Sequence, residues 1–227
     1  MKLKTDVRWL VPLALLAALA MAACKGGNGG PLEPEEALLR MVLAAEDIGE
    51  PYVEDSAVTT TNEDLALGDE ERLAELEDQG RILGYSVAMA RDQADEVEFP
   101  VFGVESAASL YEGAGGAGDS FAEDVQEARD ADWADILGFG EDTEIQEIDR
   151  SFADETFWLR VSAVVLLGEN QTPVLVIDDQ IILRQGEARG FLHISSAIDG
   201  SDDREALMDQ AAELAELQAS RMRDNLD

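Results

Sequence analysis

Apolar side chains recur at a period of two over long stretches of this chain. Leu83, Tyr85, Val87 and Met89 alternate with Gly84, Ser86, Ala88 and Ala90, which predicts a strand. Phe102, Val104, Ser106, Ala108 and Leu110 repeat the pattern, as do Phe157, Leu159, Val161 and Ala163. Thr143 to Asp149 reads as a further strand. Val174 to Ile177 and Ile181 to Arg184 are apolar runs on either side of Asp178-Asp179, and Gly186-Glu187 can turn the chain into Phe191 to Ser195 as a hairpin.

Other segments follow the helical period. Pro34 to Glu46 starts with a proline and two glutamates suited to a helix N-terminus, and Leu38, Leu39, Val42 and Leu43 line one face. Asp69 to Gln79 is a short charged helix with Leu73 and Leu76 inward and Gly80 closing it. Ser120 to Leu137 reads as a helix capped by Ser120 with Glu123, its core face being Phe121, Val125, Ala128 and Ile136. Asp202 to Arg223 is a long amphipathic helix striped by Leu207, Ala211, Leu214, Leu217 and Met222. Ile48 to Asn62, with Pro51 and three threonines, reads as loop or short strand. Clustered strands with short turns predict an α+β fold, an antiparallel sheet packed against helices.

The first residues obey a different logic. Lys2, Lys4 and Arg8 precede Trp9 to Ala23, 15 uncharged residues. As a helix that run would reach about 22 Å at 1.5 Å per residue, short of a hydrocarbon core of about 30 Å. It reads as a signal peptide, residues 1–23. Met21-Ala22-Ala23-Cys24 resembles the bacterial lipobox, although Leu is commoner where Met21 stands. The resemblance implies diacylglycerol on the Cys24 sulfur and cleavage just before it. Cleavage after Ala20-Met21-Ala22 as an ordinary secreted protein, with a free thiol, is the alternative. Residues 24–33 contain Lys25-Gly-Gly-Asn-Gly-Gly and read as a flexible tether, and 34–227 as one globular domain.

Composition narrows the partners. The 227 residues hold 50 Asp plus Glu against 16 Lys plus Arg, a net charge of -34. Removing Lys2, Lys4, Arg8 and Asp6 with the signal leaves 49 acids against 13 bases, or -36. Such a surface repels phosphate, so no nucleic-acid partner is expected, and it does not lie flat on anionic lipid. Cys24 is the single cysteine, so no intrachain disulfide forms. Lys25 is the only lysine beyond the cleavage point, a bias that a GC-rich genome or a salty habitat explains.

Leu39 to Gly49, LRMVLAAEDIG, looks like the opening of many uncharacterised bacterial envelope lipoproteins. The later strand, helix, strands, helix order is similar to the α/β sandwich of the photosystem PsbP family and related lipoproteins. The resemblance carries over no functional residue.

Candidate chemistry is sparse. Gly113-Ala-Gly115-Gly-Ala-Gly118 spells G-x-G-x-x-G, but Asp119 stands where a pyrophosphate would go, and the next predicted strand ends near Asp149, too far on for the ribose acid expected about 20 residues later. It reads as a Gly/Ala turn, and no cofactor is expected. Gly118-Asp119-Ser120 resembles the nucleophile block of GDS-type esterases, which require Asp-x-x-His. The only histidine is His193, and Gly190 stands three before it. His193 therefore reads as a strand histidine, exposed or hydrogen-bonded. A single His and a single Cys leave no His/Cys metal cluster. Asp178, Asp179, Asp199, Asp202 and Asp203 fit no twelve-residue calcium loop and read as turn and capping residues. Asn170-Gln171-Thr172 matches a glycosylation sequon, without weight in a bacterium. Trp133, Trp158 and Phe157 either pack under a helix or line an apolar groove.

These readings predict a lipid-anchored protein on the extracytoplasmic face of the cell membrane, without enzymatic activity, that binds or scaffolds an envelope protein or small ligand. The alternative is a carrier of a lipid or other apolar ligand between sheet and helices.

Overall fold

A computed structural model describes residues 32–91, 101–138, 142–167, 172–198 and 204–226. The signal peptide, Cys24 and most of the tether lie outside these residues. Among the described residues no helix is long and apolar enough to cross a membrane.

The chain folds as α+β. After helices α1 (Pro34–Met41) and α2 (Ala45–Ile48) come strand β1 (Tyr52–Thr60), helices α3 (Asn62–Ala66) and α4 (Glu70–Asp78), and strands β2 (Arg81–Arg91) and β3 (Val101–Tyr111). Helices α5 (Ala114–Asp130) and α6 (Trp133–Ile136) then lead into strands β4 (Glu144–Glu147), β5 (Glu155–Leu167), β6 (Thr172–Gln185) and β7 (Ala188–Ile198), and α7 (Arg204–Asp224) ends the chain. The strands form a single antiparallel sheet in the order β1-β2-β3-β7-β6-β5-β4. Two meanders, β1 to β3 and β4 to β7, thus meet at β3 and β7.

Both faces are covered, by different helices. On one, Leu38 and Met41 of α1 and Leu207, Leu214 and Met222 of α7 pack over Met89, Val104, Ile177, Ile181, Leu183 and Leu192. On the other, Phe121, Val125 and Ala128 of α5 and Trp133 of α6 pack over Phe157, Leu159, Val161 and Ile182. Arg221 ties α7 to the segment that follows α1, donating to the Val42 carbonyl at 2.6 Å and to Asp47 at 2.5 Å.

Several elements differ from the sequence reading. The first helix stops at Met41 because Val42 is extended and the Leu43 amide donates to Ser106 Oγ on β3, 3.0 Å away. The segment read as loop or short strand contains the nine-residue β1. It is an edge strand with nearly every side chain exposed, so no face had to be apolar. The Gly/Ala segment is not a turn. It forms the first turns of α5, where Gly116 lies so close to the Gln79 carbonyl that a Cβ would collide with it. Ser120 is consequently no cap. It is buried inside α5 and accepts a 2.7 Å hydrogen bond from the Tyr111 hydroxyl. Glu123 instead pairs with Arg72 at 2.6 Å and accepts from Gln79 at 3.0 Å. Ile136, read as core, is exposed. In α7, Leu217 is at the surface and Gln218 is fully buried, donating to the Ala107 carbonyl at 2.8 Å.

Candidate functional site

The two apolar runs around Asp178-Asp179 form one strand, β6, with both acids at its centre and almost fully buried. That corrects their reading as turn or capping residues. Because successive strand residues point to opposite faces, the two carboxylates enter different environments. Asp179 faces α7. Its Oδ1 accepts from Arg160 Nε and Trp158 Nε1, and its Oδ2 from Arg160 Nη2, each at 2.7 Å. Arg160 Nη1 also donates to the Arg204 carbonyl at 3.4 Å. This bidentate pair, with side chains 7% and 1% exposed, holds α7 to the sheet. Trp158 therefore belongs to the core and does not line a groove.

Asp178 faces the other way. Its Oδ2 lies 2.6 Å from His193 Nε2 and accepts from Ser195 Oγ at 3.1 Å, while Gln180 Nε2 donates to Oδ1 at 3.3 Å. Gln180, His193 and Glu105 stand side by side on β6, β7 and β3. Burial pulls the His193 pKa down. The hydrogen bond and charge of Asp178, with the charges of Glu105 and Asp179, outweigh burial and leave it above its ordinary value. The histidine side chain is 31% exposed, so water reaches it.

Asp178, His193 and Ser195 are the residue types of a nucleophilic triad, but the geometry is not. In a triad the acid and the nucleophile occupy different imidazole nitrogens. Here Asp178 and Ser195 both meet Nε2, with Ser195 Oγ at 3.3 Å, and Ser195 also donates to Asp178. The carboxylate blocks the nitrogen that would have to take the serine proton. The arrangement can hold a proton between Asp178 and His193.

Beside this cluster, on the same face, a cleft of about 350 Å³ opens between α5 and α6 above and the sheet below. Its upper wall carries Asp124, Glu127, Ala128 and Trp133; its floor carries Ile182, Gln180, Phe191 and Arg189. Trp133 Nε1 donates to the Ala128 carbonyl at 2.7 Å, which fixes the indole at the cleft wall. Arg189 is ion-paired with Asp124. Phe191 and His193 rings are 6.4 Å apart, so the cleft floor runs directly into the Asp178 cluster.

Of the residues singled out in the sequence, Trp133 lines the cleft and Phe157 is buried beneath α5. His193 is a hydrogen-bonded strand histidine. Asp199, Asp202, Asp203, Asn170, Gln171 and the lipidation candidate Cys24 lie outside the described residues. Among the described residues no three carboxylate, imidazole or thiol side chains converge as metal ligands. The sequence reading missed the joining of Asp178, His193 and Ser195. A signal was present: Phe191, His193 and Ser195 share one strand parity, and acids amid apolar runs need partners.

No family model and no curated protein matches the chain. Among solved structures it is similar to the extracellular domain of PknH from Mycobacterium tuberculosis, with a TM-score of 0.51 and 8% identity. The match covers 87% of this chain and 100% of that one. At that identity, what the two chains share is the fold, and the fold is one used by a domain outside the cell.

Proposed function

We propose that this protein is a lipid-anchored binding module on the extracytoplasmic face of the cell membrane, holding a small ligand in the cleft between α5, α6 and the sheet. The observation that carries it is the cleft itself. Its volume of about 350 Å³ lies at the small end of ligand sites, and two aromatic, several aliphatic and several polar side chains line it together. That volume suits a small molecule better than a membrane lipid with two acyl chains. A non-enzymatic role is favoured by the shared imidazole nitrogen of Asp178 and Ser195, which offers a substrate no activated nucleophile.

The address rests on the N-terminal pattern. A greasy run too short to span, ending in Met-Ala-Ala-Cys24, supports export and acylation. The extracellular setting of the PknH domain that shares the fold agrees with it.

Mass spectrometry of protein purified from its native membranes tests both parts. The expected result is an N-terminal Cys24 peptide carrying acyl chains, with the Cys24→Ser protein losing that mass and leaving the membrane fraction. A Cys24→Ser protein with unchanged mass pattern and location overturns the anchor. Native-condition spectra that retain a small copurifying molecule, lost on Ala128→Phe substitution in the cleft wall, support the cleft. Retention of that molecule by the blocked variant counts against it.

A further inference from the structure

The cleft has a chemical preference written into its walls. Trp133, Phe191 and Ile182 offer apolar and aromatic surface. The charged groups beside them are predominantly negative. Among the described residues Arg189 is the one cation lining the cleft; Asp124 holds its Nη1, and its Nε is buried. Glu127, on the upper wall, is exposed and has no ion pair among the described residues. Where the floor leaves the cleft, the next polar row is Gln180, His193 and Glu105, with Asp178 behind it. Adjacent strands are about 4.8 Å apart, so Glu105 lies about 10 Å across the sheet from Gln180.

An anion entering here would meet Glu127 and, past the buried Asp178–His193 pair, Glu105, while Asp124 already holds the Arg189 guanidinium. A cation would meet both carboxylates, and the rings of Trp133 and Phe191 attract positive charge through their faces. The -34 net charge of the whole chain raises the local concentration of cations further. A bare metal ion would leave the aromatic wall unused, and no set of three ligating side chains converges among the described residues.

We infer that the cleft between α5, α6 and the sheet takes a small amphipathic cation, an amine or quaternary ammonium joined to an aromatic or aliphatic group. The apolar part lies against Trp133 and Phe191, and the positive end is directed toward Glu127, with Glu105 farther along the floor. This inference rests on the reading of the cleft as a ligand site, and the test separates the two.

The full chain is titrated with 2-phenylethylamine, 2-phenylethanol and phenylacetate, three probes with the same ring and different charge. Binding is followed by the indole N–H resonance of Trp133. The expected order is amine first, the alcohol at least tenfold weaker and phenylacetate weakest. Glu127→Gln and Glu105→Gln, both changes at accessible positions, are expected to weaken the amine several-fold and leave the alcohol unchanged. Equal affinities for the three probes, or a preference for phenylacetate, overturn the charge preference while leaving the cleft as a site. A Trp133 resonance unmoved by all three overturns the site and the inference together.

Discussion

Asp178 and Asp179 are neighbours in sequence and serve opposite faces of the same sheet. Asp179 anchors Arg160 and Trp158 beneath α7, while Asp178 meets His193 and Ser195 beside the cleft. One strand thus joins the packing of the core to the floor of the candidate site.

Asp179→Asn leaves the Arg160 guanidinium buried without a counter-charge. Loss of one member of such a pair costs about 3–5 kcal/mol. Urea unfolding is expected to show that loss, and the double substitution Arg160→Met with Asp179→Leu is expected to recover most of it. Equal instability of the single and double variants would point to the bond to Trp158, not the stranded charge, as the cause.

His193 titrates with a sign that can be stated. Its folded-state pKa is raised, so the fold favours the protonated ring. That stabilisation is complete below the unfolded value of about 6.5 and disappears as pH rises through the folded-state pKa. Stability should therefore fall with rising pH in the window just above 6.5. With a single histidine in the chain, the imidazole NMR signals report the titration without ambiguity. Asp178→Asn removes the principal charge that opposes burial, so it should lower the His193 pKa and flatten the stability slope. A wild-type pKa at or below 6.5 would contradict the ion pair.

Gly115 and Gly116 are neighbours with opposite expectations. A Cβ at Gly115 meets open space, so Gly115→Ala should stabilise α5 by about 0.4–1 kcal/mol. At Gly116 the Cβ collides with the Gln79 carbonyl, so Gly116→Ala should destabilise by about 1–3 kcal/mol. Thermal melts of the two variants decide it; shifts in the same direction would refute the close contact between α5 and the end of α4.

The strands β2, β3, β5 and β7 were legible because each has an apolar face, and a period of two follows from that alone. The hairpin at Gly186-Glu187 was legible from its turn residues, and α7 from its stripe. What escaped depended on partners distant in sequence. Asp178 and Asp179 look like turn residues until Arg160 and His193 arrive from other strands. Gly116 looks like loop chemistry until Gln79 lies against it. Gln218 looks like a surface residue until it reaches the carbonyl of Ala107. β1 carried no pattern because an edge strand with both sides exposed imposes none. The cleft needed Trp133 to be set against Phe191, 58 positions later in the chain.

The bond from Arg221 to the Val42 carbonyl spans 179 positions of sequence. Leu38 and Met41 pack between α7 and the strands β2 and β3, so the earliest part of the domain completes its burial only once the latest part has been delivered. Contacts so distant in sequence slow folding, because a large loop must close before they form. Until its C-terminal helix is in place, such a chain leaves part of that apolar surface uncovered. α7 is thus the element that completes the structure.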